Sequence, residues 1–188
     1  MPHGTEALRT VALFGHTSCG KTTLTEALLH RSGMIPAPGS VERGNTVSDA
    51  DPLERKSQHS LYSAITHLSW EDACVHLVDT PGYPDFMGQT LAALPAVETA
   101  AIVINAQNGI EMSTTRMMNV ARERNLCRMI IINKIDADNV DLPGLLEAIQ
   151  ENFGKECLPI NLPARGGTAV TDCFFQPSGE ADFSSVEA

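Results

Sequence analysis

Apolar and polar positions change period several times along the chain, and each change marks an element. Residues 9–14 (RTVALF) are almost unbroken apolar sequence, which predicts a buried strand. In LTEALLHRSG the spacing of Leu24, Ala27 and Leu28 predicts a helix with those three on one face and Gly33 as its stop. Residues 34–60 lose the period and fill with Pro, Gly, Ser and charge, as functional or disordered loops do. Residues 61–70 and 73–79 read as two strands of a hairpin turning at Glu71 and Asp72. Helices are then predicted over 84–95, 112–124 and 141–153, and strands over 99–106 and 127–133. The last helix has the clearest period: Leu142, Leu145, Leu146, Ile149 and Phe153 share one face, with Pro143 in the first turn.

Apolar strands alternating with helices predict an α/β fold, with a mostly parallel sheet covered by helices on both faces. Ligand loops then fall at the carboxyl ends of the strands. Residues 157–162 and 168–175 are strand-like pieces around Gly166 and Gly167, followed by a polar tail without apolar period.

A chain of 188 residues can bury one sizeable core, and 43% hydrophobic with 19% charged residues is ordinary globular composition. No apolar run reaches the roughly 18 to 20 residues that span a bilayer, and the N-terminus lacks signal-peptide character, so a cytoplasmic protein without membrane contact is expected. The net charge of −10 excludes broad attraction to nucleic acid, and no direct DNA binding is expected. Five cysteines without close pairs exclude a disulfide framework and a thiolate zinc site, and most are expected to be buried small hydrophobes.

Three strand ends carry the chemistry. GHTSCGKTT (residues 15–23) has the spacing of a phosphate-binding loop. Gly15 and Gly20 allow backbone amides, through His16, Thr17, Ser18, Cys19 and Thr23, to curve around phosphate oxygens, with Cys19 filling space. Lys21 would place its ammonium on the terminal phosphates and Thr22 its hydroxyl on Mg²⁺. In DTPGY, Asp79 can reach the same Mg²⁺, and the Gly82 amide can bond a γ-phosphate only when one is present. In NKID, Asp136 can accept two hydrogen bonds from guanine while the Lys134 stem covers the base and Asn133 ties the base loop to the phosphate loop. Adenine would leave that carboxylate unpaired, and a site built on such bonds rejects an analogue by about 10⁴. GTP or GDP with Mg²⁺ is the expected ligand set.

GHTSCGKTTLTEALL, DTPGYPDF and NKID together resemble the translational GTPases, specifically elongation factor G. The resemblance covers nearly the whole chain and implies a P-loop GTPase fold in a monomer that binds the ribosome as its activator. It makes residues 34–60 switch I and places Ser60 at the family's metal-binding Thr. Elongation factor G ordinarily has His after DTPG to position the attacking water, whereas this chain has Tyr83. A phenol, neutral at pH 7, can orient a water by hydrogen bonding but cannot supply an imidazolium. Two activities stay open: Mg²⁺-dependent GTP hydrolysis involving Lys21, Gly82 and Tyr83, or a GTP-dependent binding switch with little hydrolysis. ATP use is a third, set apart by Asp136. The resemblance also divides the chain into a GTP-binding core over 1–156 and the start of an inserted subdomain over 157–188, as in a fragment of a longer factor.

Met112, Met117 and Met118 are expected to pack, Trp70 likewise, and His3, His30, His67 and His76 to lie on surfaces or strand faces.

Overall fold

The computed structural model describes residues 4–175 and 179–183, so His3 and most of the polar tail lie outside the described residues. Five strands form the main sheet: β1 (Leu8–Phe14), β2 (Ala64–Trp70), β3 (Ala73–Asp79), β4 (Thr99–Asn105) and β5 (Cys127–Asn133), in the order β2-β3-β1-β4-β5. β1 runs parallel to β3 and β4, and β2 is antiparallel to β3 through the expected hairpin. The central strands are the apolar ones: Ala12, Phe14, Ala100 and Ile102 have no exposed surface. The mostly parallel α/β reading therefore holds.

Position in the sheet explains where the apolar runs mislead. β5 ends the strand order, and Cys127, Arg128 and Met129 are exposed despite an apolar sequence. At the other edge β2 leaves Ile65 and Trp70 exposed, so Trp70 does not pack into the core as expected. Met117 and Met118 are buried on α4 (Met112–Glu123), but Met112, at its first position, is 90% exposed. Cys19 and Cys74 alone among the five free cysteines are buried.

The first helix, α1 (Lys21–Arg31), starts and ends where expected but faces elsewhere. Ala27 and Leu28 are exposed, and the buried residues are Lys21, Thr25, Glu26 and Leu29. Leu29 packs with Leu68 and Leu77, while Leu24 lies half-buried against Leu13, Cys19, Ala101 and Val103. The polar side is buried because residues 34–60 fold back over it: the Glu26 carboxylate accepts the Gly39 amide at 2.8 Å and the Val47 amide at 2.5 Å.

That segment contains a short helix that apolar period could not reveal, α2 (Pro52–Ser57). Asp51 caps it by accepting from the Leu53 amide, and Glu54 reaches back to the Asp51 amide, a reciprocal capping box. The predicted helix over 84–95 is α3 (Met87–Ala93) between two single 3-10 turns, Pro84–Phe86 and Leu94–Ala96. Pro84 and Pro95 stand where those turns form, since neither can donate to a regular helical ladder.

The chain divides into two compact units, one built on residues up to Ile104 with Glu111–Ile131, the other on Asn105–Ile110 and residues from Ile132 onward. The second unit contains α5 (Leu142–Phe153), which buries Leu145 and Ile149 as its period predicts, and the hairpin β6 (Asn161–Ala164) and β7 (Ala169–Asp172).

Candidate nucleotide and metal site

β1 ends at Phe14 and the chain turns through residues 15–20 into α1. Gly15 has φ +147°, and a Cβ there would run into the Val103 carbonyl of β4, so only glycine passes. No side chain caps α1, leaving its first-turn amides directed at whatever the loop encloses. Lys21 is buried, its Nζ donating to the carbonyls of Gly15 (3.0 Å) and His16 (2.9 Å). A buried ammonium and a helix N-terminus without a side-chain cap meet at this loop, an arrangement that suits an anion. Burial pushes the Cys19 thiol up while the Lys21 charge pulls it down, which suits a space-filling residue better than a reactive thiol.

The hydroxyls and carboxylate predicted for the metal meet in the same unit. Thr22 donates to Asp79 Oδ2 at 2.6 Å, and its hydroxyl lies 3.4 Å from that of Ser60. Ser60 in turn donates to Asp49 at 2.7 Å, and Asp49 also accepts from Thr46. Asp49 is the residue the sequence reading missed; nothing but its return in space distinguishes it from other acids in a polar loop. Asp79 is 1% exposed, and burial raises its carboxyl to about 6, with the Thr22 hydroxyl and Lys21 charge acting against that rise. Its Oδ1 is buried with no hydrogen-bond partner among the described residues. An unsatisfied carboxylate oxygen beside two hydroxyls is a hard-oxygen donor set, and Mg²⁺ completes its shell with one or two carboxylates, phosphate oxygens and water. The residues therefore fit the expected cation.

Gly82 lies across the phosphate loop. A methyl built on it would stand 2.6 Å from Lys21 Nζ and 2.6 Å from the Thr17 nitrogen. The loop carrying it is held on both sides, Thr80 donating to the Leu13 carbonyl and Thr90 to that of Pro81. Gly82→Ala is accordingly expected to lower the stability of the nucleotide-free protein by about 1 to 3 kcal/mol, because the Thr17 backbone cannot retreat. Thermal melts check this, and an unchanged midpoint would contradict the packing. Tyr83, next in sequence, is partly exposed, and its ring lies 4.6 Å from that of His59.

The residues expected to recognise the base belong to the second unit. β5 ends at Asn133, whose carbonyl accepts from Ala106 at 2.9 Å. Lys134 adopts φ +59°, and the Ala137 amide closes the turn onto the Lys134 carbonyl. Lys134 and Asp136 are both exposed on this turn.

A strand-to-helix phosphate loop in an α/β sheet, with a metal-type donor set beside it, defines a P-loop nucleotide-binding protein. The profile of the Elongation factor Tu GTP binding domain matches residues 6–183, and the chain belongs to that family of translational GTPases. It is 38% identical over 165 residues to an elongation factor G-like protein of Mycobacterium tuberculosis, covering 88% of this chain and 23% of that protein. It is 36% identical over 148 residues to the tetracycline resistance protein TetW of Butyrivibrio fibrisolvens, covering 79% and 23% respectively. A crystal structure of a Thermus thermophilus protein superposes with a TM-score of 0.84 at 38% identity, over 88% of this chain and 25% of that one. The chain thus spans about a quarter of the length of these relatives. Among the described residues no helix is long and apolar enough to cross a membrane.

Proposed function

We propose that this chain is the nucleotide-handling part of a translation factor that hydrolyses GTP with Mg²⁺ and is stimulated by the ribosome. The observation that carries the reading is the junction of Thr22, Ser60 and Asp79 beside the buried Lys21, since it joins the phosphate loop, residues 34–60 and the DTPG loop at one point. Amides of residues 15–23 hold the α- and β-phosphates, Lys21 neutralises the terminal ones, and the Gly82 amide bonds the γ-phosphate. Thr22, Ser60 and Asp79 would hold Mg²⁺, which would supply charge stabilisation to the phosphates. Asp136 selects guanine, Lys134 covers its face, and Asn133 fixes the base loop. We assign residues 1–156 to a GTP-binding core and 157–188 to an inserted subdomain.

Catalysis of this kind is positioning and charge stabilisation around an in-line attack by water. No arginine stands in the motif loops, so turnover without an activator is expected near ~10⁻⁴ s⁻¹. Single-turnover GTP hydrolysis by the intact protein, with and without ribosomes, tests the reading: absence of ribosomal stimulation overturns it. Tyr83 favours a second reading, a GTP-dependent binding switch, which that same result would leave standing. Competition between ATP and GTP tests the base assignment, and equal affinities would remove Asp136 from its role.

A further inference from the structure

Two aromatic rings meet between loops that the phosphate site brings together. His59 immediately precedes Ser60, whose hydroxyl lies 3.4 Å from that of Thr22. Tyr83 immediately follows Gly82, which lies against Lys21 and the Thr17 backbone. The His59 and Tyr83 ring centroids are 4.6 Å apart at 55°, and Phe86 flanks the imidazole at 6.1 Å. His59 Nδ1 is buried and has no hydrogen-bond partner among the described residues. The ring thus carries, next to Ser60, a hydrogen-bonding nitrogen that no group of the described residues uses.

We propose that His59 is a water-positioning residue of this site, supplying from the segment before Ser60 the imidazole that is missing after DTPG, with Tyr83 holding its ring. The inference rests on the hydrolytic reading above. His59 contributes a hydrogen bond to the attacking water and takes no net proton. In the step it assists, the water oxygen bonds to the γ-phosphorus, the bond to the bridging oxygen breaks, GDP leaves with the electron pair, and the water's proton passes to the released phosphate.

The test is single-turnover GTP hydrolysis by the intact protein on saturating ribosomes, alongside affinity for a fluorescent guanine nucleotide. His59→Phe keeps a flat ring against Tyr83 and removes the nitrogens; we expect a rate loss of about 10²-fold with nucleotide affinity within about twofold. Adding Tyr83→His to that variant returns an imidazole from the opposite loop, and the rate should recover at least about tenfold, a rescue that lost packing cannot give. Should His59→Phe lose nucleotide affinity, His59→Leu alone and with Tyr83→His make the same comparison. A rate for the single variant within about threefold of wild type, or a double variant no faster than the single one, overturns the role of His59 while leaving ribosome-stimulated hydrolysis intact. A wild-type protein that ribosomes do not stimulate overturns the hydrolytic reading and this inference together, so the two failures are distinct.

Discussion

Lys21→Met is expected to lower GTP affinity by about 10² to 10³-fold while the chain still folds. Lys21 is only 6% exposed, and its ammonium spans the loop from inside, bonded to the Gly15 and His16 carbonyls and 3.8 Å from the Cys19 sulfur. A bound triphosphate would meet that charge in a site largely closed to water, where screening is weak. Truncating one partner of such a desolvated charge pair costs about 3 to 4 kcal/mol, which converts to the stated range. Methionine keeps the length of the stem, so packing beneath the loop survives. Lys21→Arg should fail almost as badly. Space around Nζ is so limited that a methyl on Gly82 would come within 2.6 Å of it, and a planar guanidinium is far larger than a methyl. Titration with a fluorescent guanine nucleotide checks both variants; binding within about threefold of wild type by Lys21→Met would mean that Lys21 does not face the phosphates, and by Lys21→Arg that the loop has room for a guanidinium.

What could be read from the chain divides along physical lines. The placement of Gly15, Lys21, Thr22 and Asp79 around one loop was legible because the pattern fixes their spacing at strand ends and steric passage past Val103 demands a glycine. Ser60 was reached through a family resemblance, and it does lie beside the Thr22 hydroxyl. Asp49, Glu26 and Glu54 were not legible. Each is a charged residue that local pattern assigns to solvent, and each is buried because residues 34–60 return over α1. The apolar stripe of α1 does not mark its buried face for the same reason: polar loop rather than apolar core covers Glu26. One local signal was available. Asp51-Pro52-Leu53-Glu54 is a helix start with its capping box, and it could have placed an element inside the apparent loop.

That return over α1 makes Glu26 the second residue whose loss should be felt strongly. Its two oxygens accept separately from Gly39 and Val47, and the carboxylate is 1% exposed. Glu54 does the equivalent work farther along, accepting from the Leu61 and Tyr62 amides just beyond Ser60. The segment between these anchors carries Asp49 and Ser60, so fixing it also fixes the Ser60 hydroxyl beside Thr22. Hydrogen bonds to a charged group contribute about 1.5 to 3 kcal/mol each, and Glu26→Ala removes two while leaving two amides to find water. We expect the local opening of residues 39–47 to become favourable by about 3 kcal/mol, read as a loss of about 10²-fold in amide-exchange protection at Gly39 and Val47. Glu26→Gln should rescue little. An amide offers one acceptor oxygen, and its NH₂ would face whichever backbone N–H the other carboxylate oxygen had accepted, donor against donor. Nucleotide affinity measured without Mg²⁺ should change little, since Lys21 and the loop amides are untouched, whereas the gain in affinity on adding Mg²⁺ should shrink as Ser60 is released. Unchanged exchange at Gly39 and Val47 in Glu26→Ala would mean that some other contact holds the segment, and the link from α1 to Ser60 would have to be abandoned.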